Sequence, residues 1–376
     1  MKKRELNILA VFGTRPEVIK MAPVIKELKK YPRKFNCRVC VSGQHRQMID
    51  PLLKLFNIKP NYDLNIMRKN QNLEHITSSV LQKIGKILEQ EKIDYLLVQG
   101  DTTTAMVASL AAFYKGIKIG HIEAGLRTWN KRHPFPEEVN RKIIDSLSDL
   151  YFAHTKAARQ NLINEGVDPK AIEVTGNTVI DALLDTAKRK FDFQGTKLEQ
   201  VVARNNKIIL VTAHRRENMG EPILNICAAM KEVAIRFKNK ITFVYPVHLN
   251  PNIKVPVNKM LAGIDNIILT EPMDYLPFVH LMKRSYFILT DSGGLQEEAP
   301  SLGKPVLVMR ETTERPEGVE AGCVEVIGTD TARVVKMVTE LLRDKEKYTR
   351  MAKARNPYGD GTAGKKIVQR MLKQIG

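Results

Sequence analysis

Three carboxylates stand where the chain could do proton chemistry. Asp101 follows the apolar run Tyr95–Gln99, Glu123 follows the run that ends His121-Ile122, and Glu137 enters the stretch opened by Pro134-Phe135-Pro136. Carboxylates brought close together raise one another's pKa, which is how proton donors and acceptors arise near neutral pH. A plainer account makes Asp101 a turn residue, and Glu137 with Glu138 first-turn partners of a helix dipole. That account leaves Glu123, just ahead of a glycine turn, without a purpose.

Cations gather at comparable places. Gly13-Thr14-Arg15-Pro16-Glu17, with Lys20 beyond, puts a guanidinium fork and a point charge beside a strand-to-helix turn, a pair suited to a diphosphate. The same residues also read as an exposed loop arginine and a helix-face lysine. His214-Arg215-Arg216 closes another apolar run and reads as a contact for an anion or a leaving group. Asp291-Ser292-Gly293-Gly294 follows a strand and opens a helix, where serine and paired glycines let the backbone approach a phosphate. Glu298, about one turn on, is spaced to accept bonds from ribose hydroxyls; an ordinary turn and N-cap is the alternative. Arg310-Glu311-Thr312-Thr313-Glu314-Arg315-Pro316-Glu317 reads equally as a loop that closes over a ligand and as a solvated surface loop. A Walker lysine is absent, as is Gly-x-Gly-x-x-Gly after the first strand, which weighs against ATPase and dehydrogenase readings.

These clusters need elements to hold them. Apolar runs recur at Leu6–Phe12, Cys37–Ser42, Tyr95–Gln99, Ile117–Ile122, Leu150–Ala153 and Ile172–Thr175, and again at Ile208–Thr212, Ile241–Tyr245, Ile267–Thr270, Tyr286–Thr290, Pro305–Met309 and Val324–Ile327. Amphipathic stretches such as Val18–Leu28, Ile76–Leu88, Val139–Leu147 and Val334–Leu342 lie between them. Continuous apolar strands alternating with helices predict parallel sheets covered on both faces. Two Rossmann-like doubly wound domains facing a cleft are expected, residues 1–185 and 186–358, with the boundary between about 180 and 205 in or near the polar stretch Lys188–Lys207. Ligands of such sheets bind outside the carboxyl ends of the strands, where these polar clusters fall.

The composition sharpens the reading. The chain of 376 residues carries 60 Lys+Arg against 41 Asp+Glu, a formal charge of +19 that invites a polyanion partner. Residues 1–50 and 331–376 each hold a net +8, so the excess reads as solvated terminal surface, and nucleic acid is not the expected partner. Cys37-Arg38-Val39-Cys40 has zinc-like spacing but no second ligand pair, and positions three apart on a strand face opposite ways. Cys37, Cys40, Cys227 and Cys323 therefore read as buried thiols in a reducing compartment, with no metal. No segment approaches the roughly 20 apolar residues of a membrane span and no signal-peptide pattern occurs, so a cytoplasmic protein is expected.

The motifs together resemble the non-hydrolysing UDP-N-acetylglucosamine 2-epimerases. The likeness rests on Phe12-Gly13-Thr14-Arg15-Pro16-Glu17, Gly100-Asp101-Thr102-Thr103-Thr104, His121-Ile122-Glu123-Ala124-Gly125-Leu126-Arg127, Pro136-Glu137-Glu138, Thr175-Gly176-Asn177-Thr178, His214-Arg215-Arg216-Glu217, Pro246-Val247-His248-Leu249-Asn250-Pro251, Asp291-Ser292-Gly293-Gly294 and Thr312-Thr313-Glu314-Arg315-Pro316-Glu317. It runs from about residue 7 to Tyr358-Gly359-Asp360-Gly361. The resemblance implies a glycosyltransferase-B-like pair of domains, a homodimer, and a final segment, residues 359–376, crossing back onto the first domain. It implies interconversion of UDP-GlcNAc and UDP-ManNAc without a redox cofactor, by elimination of UDP and its re-addition to a 2-acetamidoglucal. Asp101, Glu123 and Glu137 match the family's acids and bases, with His214 at the UDP side. Arg15, Lys20, Phe278, Ser292, Gly293, Gly294, Glu298 and Arg315 match its nucleotide contacts. Gln44, His45 and Gln47 match a segment that lines a second, activating substrate site in some relatives. One departure is Met273, where some bacterial members carry Gln, so a uracil contact there would come from backbone.

The chemistry explains the demand for these groups. The sugar C2 proton is not acidic, because the amide carbonyl hangs off nitrogen and is not alpha to that carbon. Its removal must be coupled to departure of UDP, which cations and amides on the diphosphate assist while a carboxylate takes the proton. Two faces of C2 need two acid–base groups or one mobile group. A hydrolysing epimerase releasing ManNAc and UDP, and a glycosyltransferase on the same scaffold, are the competing readings.

Overall fold

The computed structural model describes residues 5–43, 46–68, 71–204 and 206–375. By its internal contacts the chain divides into two compact units, residues 1–182 with 358–376, and residues 183–357.

In the first unit, strands β1 (Leu6–Phe12), β2 (Phe35–Val41), β3 (Tyr62–Asp63), β4 (Tyr95–Gln99), β5 (Lys118–Ala124), β6 (Leu150–Ala153) and β7 (Ile172–Val174) form one sheet in the order β3-β2-β1-β4-β5-β6-β7. Every neighbouring pair is parallel. All residues of β4 are buried, as a strand covered on both faces requires. The helix Ala363–Leu372 packs against the helix Arg15–Leu28 of this unit, and the amides of Ala363 and Gly364 donate to Asp181 at 3.1 and 2.9 Å.

The second unit repeats the plan with β8 (Lys207–Thr212), β9 (Ile241–Pro246), β10 (Ile267–Thr270), β11 (Phe287–Thr290), β12 (Val306–Val308) and β13 (Val324–Val326), ordered β10-β9-β8-β11-β12-β13 and again parallel. Its core gathers Ile209, Val211, Phe243, Tyr245, Phe287 and Leu289 from the sheet with Ile226, Met230 and Val338 from the covering helices. The two parallel-sheet α/β domains inferred from the apolar runs are thus present.

Local differences from the sequence reading have physical causes. β3 is two residues long at the sheet edge and carries no apolar run, so periodicity gives no sign of it. The division between units falls at the near end of the expected range, within the helix Thr178–Ala187, and the polar stretch after residue 187 belongs to the second unit, where Phe193, Leu198 and Val201 are buried. Glu123 does not follow its strand but lies inside β5, at an irregularity in the pairing with β6. Cys37 and Cys40 both lie on β2 as free thiols, each pushed up to about 12 by burial.

Candidate active site

Both sheets reverse their winding beside the first strand, between β1 and β4 and between β8 and β11. The carboxyl ends at these switch points are where a doubly wound sheet offers its crevice. Gly13–Arg15 follow β1, Gly100–Asp101 follow β4, His214–Arg215 follow β8, and Asp291–Gly294 follow β11.

In the first unit, Lys20 on the helix Arg15–Leu28 places its Nζ 2.5 Å from Glu123 Oε2, and Gln99 at the end of β4 donates to the same oxygen. Glu123 is 8% exposed and holds φ at +69°, the left-handed region that costs a non-glycine residue about 1–3 kcal/mol. The pairing with β6 shifts register between Ile122 and Ala124, at this residue, and bulges of this kind are common beside functional sites. Asp101 accepts from Nη2 and Nε of Arg141 at 2.6 and 3.2 Å. Arg141 in turn binds Glu138 at 2.7 Å, and Glu138 accepts from the amides of Thr128 and Trp129 at 3.0 Å each. Glu137, half-buried, begins the helix Glu137–Leu147 one residue ahead of this clamp. Glu17 is buried and accepts from the amides of Gly13 and Thr14 and from the Thr102 hydroxyl, so it fixes the loop that carries Arg15. Burial raises the Glu17 pKa against those lowering hydrogen bonds. Arg15 itself has no ion-pair partner among the described residues.

Behind the carboxylates lies a buried ionic group. His121 Nδ1 is 2.6 Å from Asp145 Oδ1, and Arg127 Nη2 is 2.7 Å from Asp145 Oδ2 and also pairs with Glu165 at 2.5 Å. Burial opposes the charge on Asp145, yet His121 and Arg127 hold it below the ordinary carboxylate range. Gly125, at φ +81°, donates to the same carboxylate at 3.2 Å, and a Cβ there would stand 2.2 Å from the Ala158 carbonyl oxygen. Gly125→Ala is therefore expected to destabilise the first unit by roughly 3 kcal/mol, read from denaturant unfolding; an unchanged midpoint would contradict the close approach.

In the second unit, the buried Asp291 accepts from the amides of His214 and Arg215 at 2.7 and 2.8 Å and from Asn218 Nδ2 at 3.0 Å, so it shapes the loop after β8. His214 Nδ1 is 3.3 Å from Asp291 Oδ1 and its ring stacks on His248, centroids 5.5 Å apart. Burial, aided by His248 and Arg215 and opposed by Asp291, holds His214 below its ordinary 6.5. Its ring should be neutral at pH 7, with a titration midpoint below 6.5 by NMR; a midpoint above 6.5 would contradict this environment. Ser292 stands at the N-cap of the helix Gly293–Glu298 with Gly293 buried and Gly294 exposed, and a Cβ on Gly293 would meet Arg215 Nη2 at 3.4 Å. Glu298 is buried and accepts from the Tyr275 hydroxyl at 3.0 Å, on the helix Tyr275–Arg284 that also carries the half-buried Phe278. The polar stretch after β12 is no loose surface loop: Thr313 donates to the buried Gln296 at 2.5 Å, and Arg315 pairs with Glu297.

This pattern of strand-end groups meets a direct match. A family model described as UDP-N-acetylglucosamine 2-epimerase spans residues 26–372, and a UDP-N-acetylglucosamine 2-epimerase of Campylobacter jejuni is 52% identical over 375 residues, covering 98% of this chain and 97% of its own. The chain belongs to the UDP-N-acetylglucosamine 2-epimerase family. Within that family, the crystal structure of the Neisseria meningitidis enzyme bound to UDP-GlcNAc superposes with a TM-score of 0.88 at 49% identity, covering 98% of this chain and all of the other. The Methanocaldococcus jannaschii enzyme, in complex with UDP-GlcNAc and UDP, gives 0.80 at 32% identity over 98% of this chain and all of its own.

Seen in an epimerase of this family, the residues chosen from sequence fall into two sets. Arg15, Lys20, Asp101, Glu123 and Glu137 belong to the first unit, and His214, Phe278, Ser292, Gly293, Gly294, Glu298 and Arg315 to the second. Gln47 lies on the helix Arg46–Leu55, while Gln44 and His45 lie outside the described residues. Sequence reasoning missed Gln99, Arg141 and Asp145 as supports. Each had a signal: Gln99 is a polar residue ending a fully apolar strand, and Arg141 and Asp145 are charges on the face of their helix that also buries Ile144.

Proposed function

We infer that this epimerase works by the non-hydrolysing route, interconverting UDP-GlcNAc and UDP-ManNAc through a 2-acetamidoglucal. A carboxylate takes the C2 proton as the C1–O bond to UDP breaks; UDP then adds back to C1 while an acid delivers a proton to the other face of C2. Electrons balance without a redox partner. The observation that carries the reading is Glu123, a strained, nearly buried carboxylate gripped by Lys20 and Gln99. A residue held at a conformational cost fits a group whose placement matters more than its stability. Lys20 offsets the charge Glu123 carries as a proton acceptor, and Asp101 on its arginine clamp and Glu137 supply the other acid–base positions.

Most of the nucleotide contacts fall to residues of the second unit in this reading: Ser292, Gly293 and Gly294 to phosphate, Glu298 to ribose, Phe278 and Arg315 beside them, and His214 with Arg215 to the leaving diphosphate. Relatives crystallised with UDP-GlcNAc and UDP support the ligand class. Arg15, with no ion-pair partner among the described residues, serves the diphosphate. Arg15→Ala should raise the UDP dissociation constant about tenfold or more, the worth of one charge-assisted hydrogen bond. Calorimetry showing unchanged affinity would remove Arg15 from that role. The four unpaired cysteines suit a reducing cytoplasm, and no described helix is long and apolar enough to cross a membrane.

NMR of the products of UDP-GlcNAc, with no acceptor added, tests the whole reading. UDP-ManNAc should accumulate to an equilibrium mixture. Free ManNAc as the main product would replace it with the hydrolysing reaction, and turnover only with an acceptor would indicate a glycosyltransferase.

A further inference from the structure

The proposed chemistry uses none of the buried ionic group behind Glu123, yet that group is built around it. His121 is fully buried, and each ring nitrogen faces an oxygen: Nδ1 the Asp145 carboxylate at 2.6 Å, Nε2 the Gly100 carbonyl at 2.7 Å. A carbonyl oxygen only accepts, and the Asp145 carboxylate already accepts from Arg127 and from the Gly125 amide. Both contacts are hydrogen bonds only if both ring nitrogens carry protons. A ring lone pair set against either oxygen in so buried a site would be a costly arrangement.

The placement is more telling than the charge. Asp145 touches His121 and Gly125, the residues two before and two after Glu123, and so brackets the one residue of β5 held at positive φ. His121 also holds Gly100, whose amide donates to the Ile122 carbonyl at 3.0 Å, so the turn leading into Asp101 is fixed from both sides. Arg127 anchors Asp145 from behind and is itself anchored by Glu165 at 2.9 Å.

We infer that His121 is a positioning residue: engaged through both ring nitrogens, it ties the ends of β4 and β5 together and, through Asp145, holds Glu123 and Asp101 in their working geometry. The inference rests on the reading of Glu123 and Asp101 as acid–base groups, and it adds a residue that touches no substrate. A misplacement of about 1 Å at such groups costs on the order of 100-fold in rate.

The test pairs kinetics with a direct look at the ring. In His121→Gln, kcat for epimerisation should fall about 100-fold while the UDP dissociation constant changes less than about threefold, because the nucleotide contacts are untouched. Asp145→Asn should give a similar split. In the wild type, long-range ¹H–¹⁵N correlation spectra should show both ring nitrogens of one buried histidine engaged in hydrogen bonds, a signature that His121→Gln removes. Unchanged kcat, a loss confined to KM, or a ring nitrogen of His121 without its hydrogen bond would each overturn the assignment. If the variants fail to fold, the wild-type spectrum still decides. If the wild type itself makes no UDP-ManNAc, the epimerase mechanism fails, and the ring spectrum reports on the brace independently.

Discussion

Glu123→Gln should lower kcat about 1,000-fold, the range of a lost general acid or base, while UDP binding stays nearly unchanged. Gln keeps the length of the side chain and one acceptor oxygen for Lys20 or Gln99. It also tolerates the left-handed backbone no better and no worse than Glu, so the fold should survive at similar stability. What disappears is the charge that accepts a proton. Steady-state kinetics beside UDP calorimetry separates the two effects. A kcat within about twofold of wild type would take Glu123 out of the mechanism.

Asp101→Asn should cost activity and stability together, and the contrast with Glu123 is informative. Asp101 shares one oxygen between Nε and Nη2 of Arg141, a guanidinium whose side chain is only 5% exposed. Removing the charge leaves Arg141 with Glu138 as its remaining carboxylate partner, so a stability loss of roughly 1–3 kcal/mol is expected. The kcat should fall at least about 100-fold, again with UDP affinity nearly intact. If unfolding shifts but turnover does not, Asp101 is a structural partner of Arg141 and nothing more.

The apolar runs placed twelve of the thirteen strands among the described residues to within two residues at either end, because continuous Val, Ile and Leu segments are what a doubly covered parallel sheet demands. The strand-end rule then pointed to the residues now seen at both switch points. What the sequence could not reveal are pairings across long separations: Lys20 to Glu123 spans 103 residues, Arg141 to Asp101 spans 40, and His121 to Asp145 spans 24. Such contacts depend on strand order and on which helix covers which strand, and neither is written in local periodicity. Lys20 illustrates the consequence. Its type and spacing point to a diphosphate contact and give no sign of the carboxylate of its own unit on which the fold sets its ammonium. Glu123 illustrates another. Hydropathy ended its strand two residues early, because a single charged residue at positive φ inside a strand is a tertiary feature that propensity disfavours.

Removal and return of the C2 proton is the step that defines the proposed mechanism. Turnover of UDP-GlcNAc in heavy water, followed by NMR or mass spectrometry, measures this most directly. The UDP-ManNAc formed should carry one solvent deuterium at C2, and UDP-GlcNAc recovered at equilibrium should carry it too. UDP-ManNAc that retains protium at C2 would contradict proton abstraction by these carboxylates and with it the proposed mechanism.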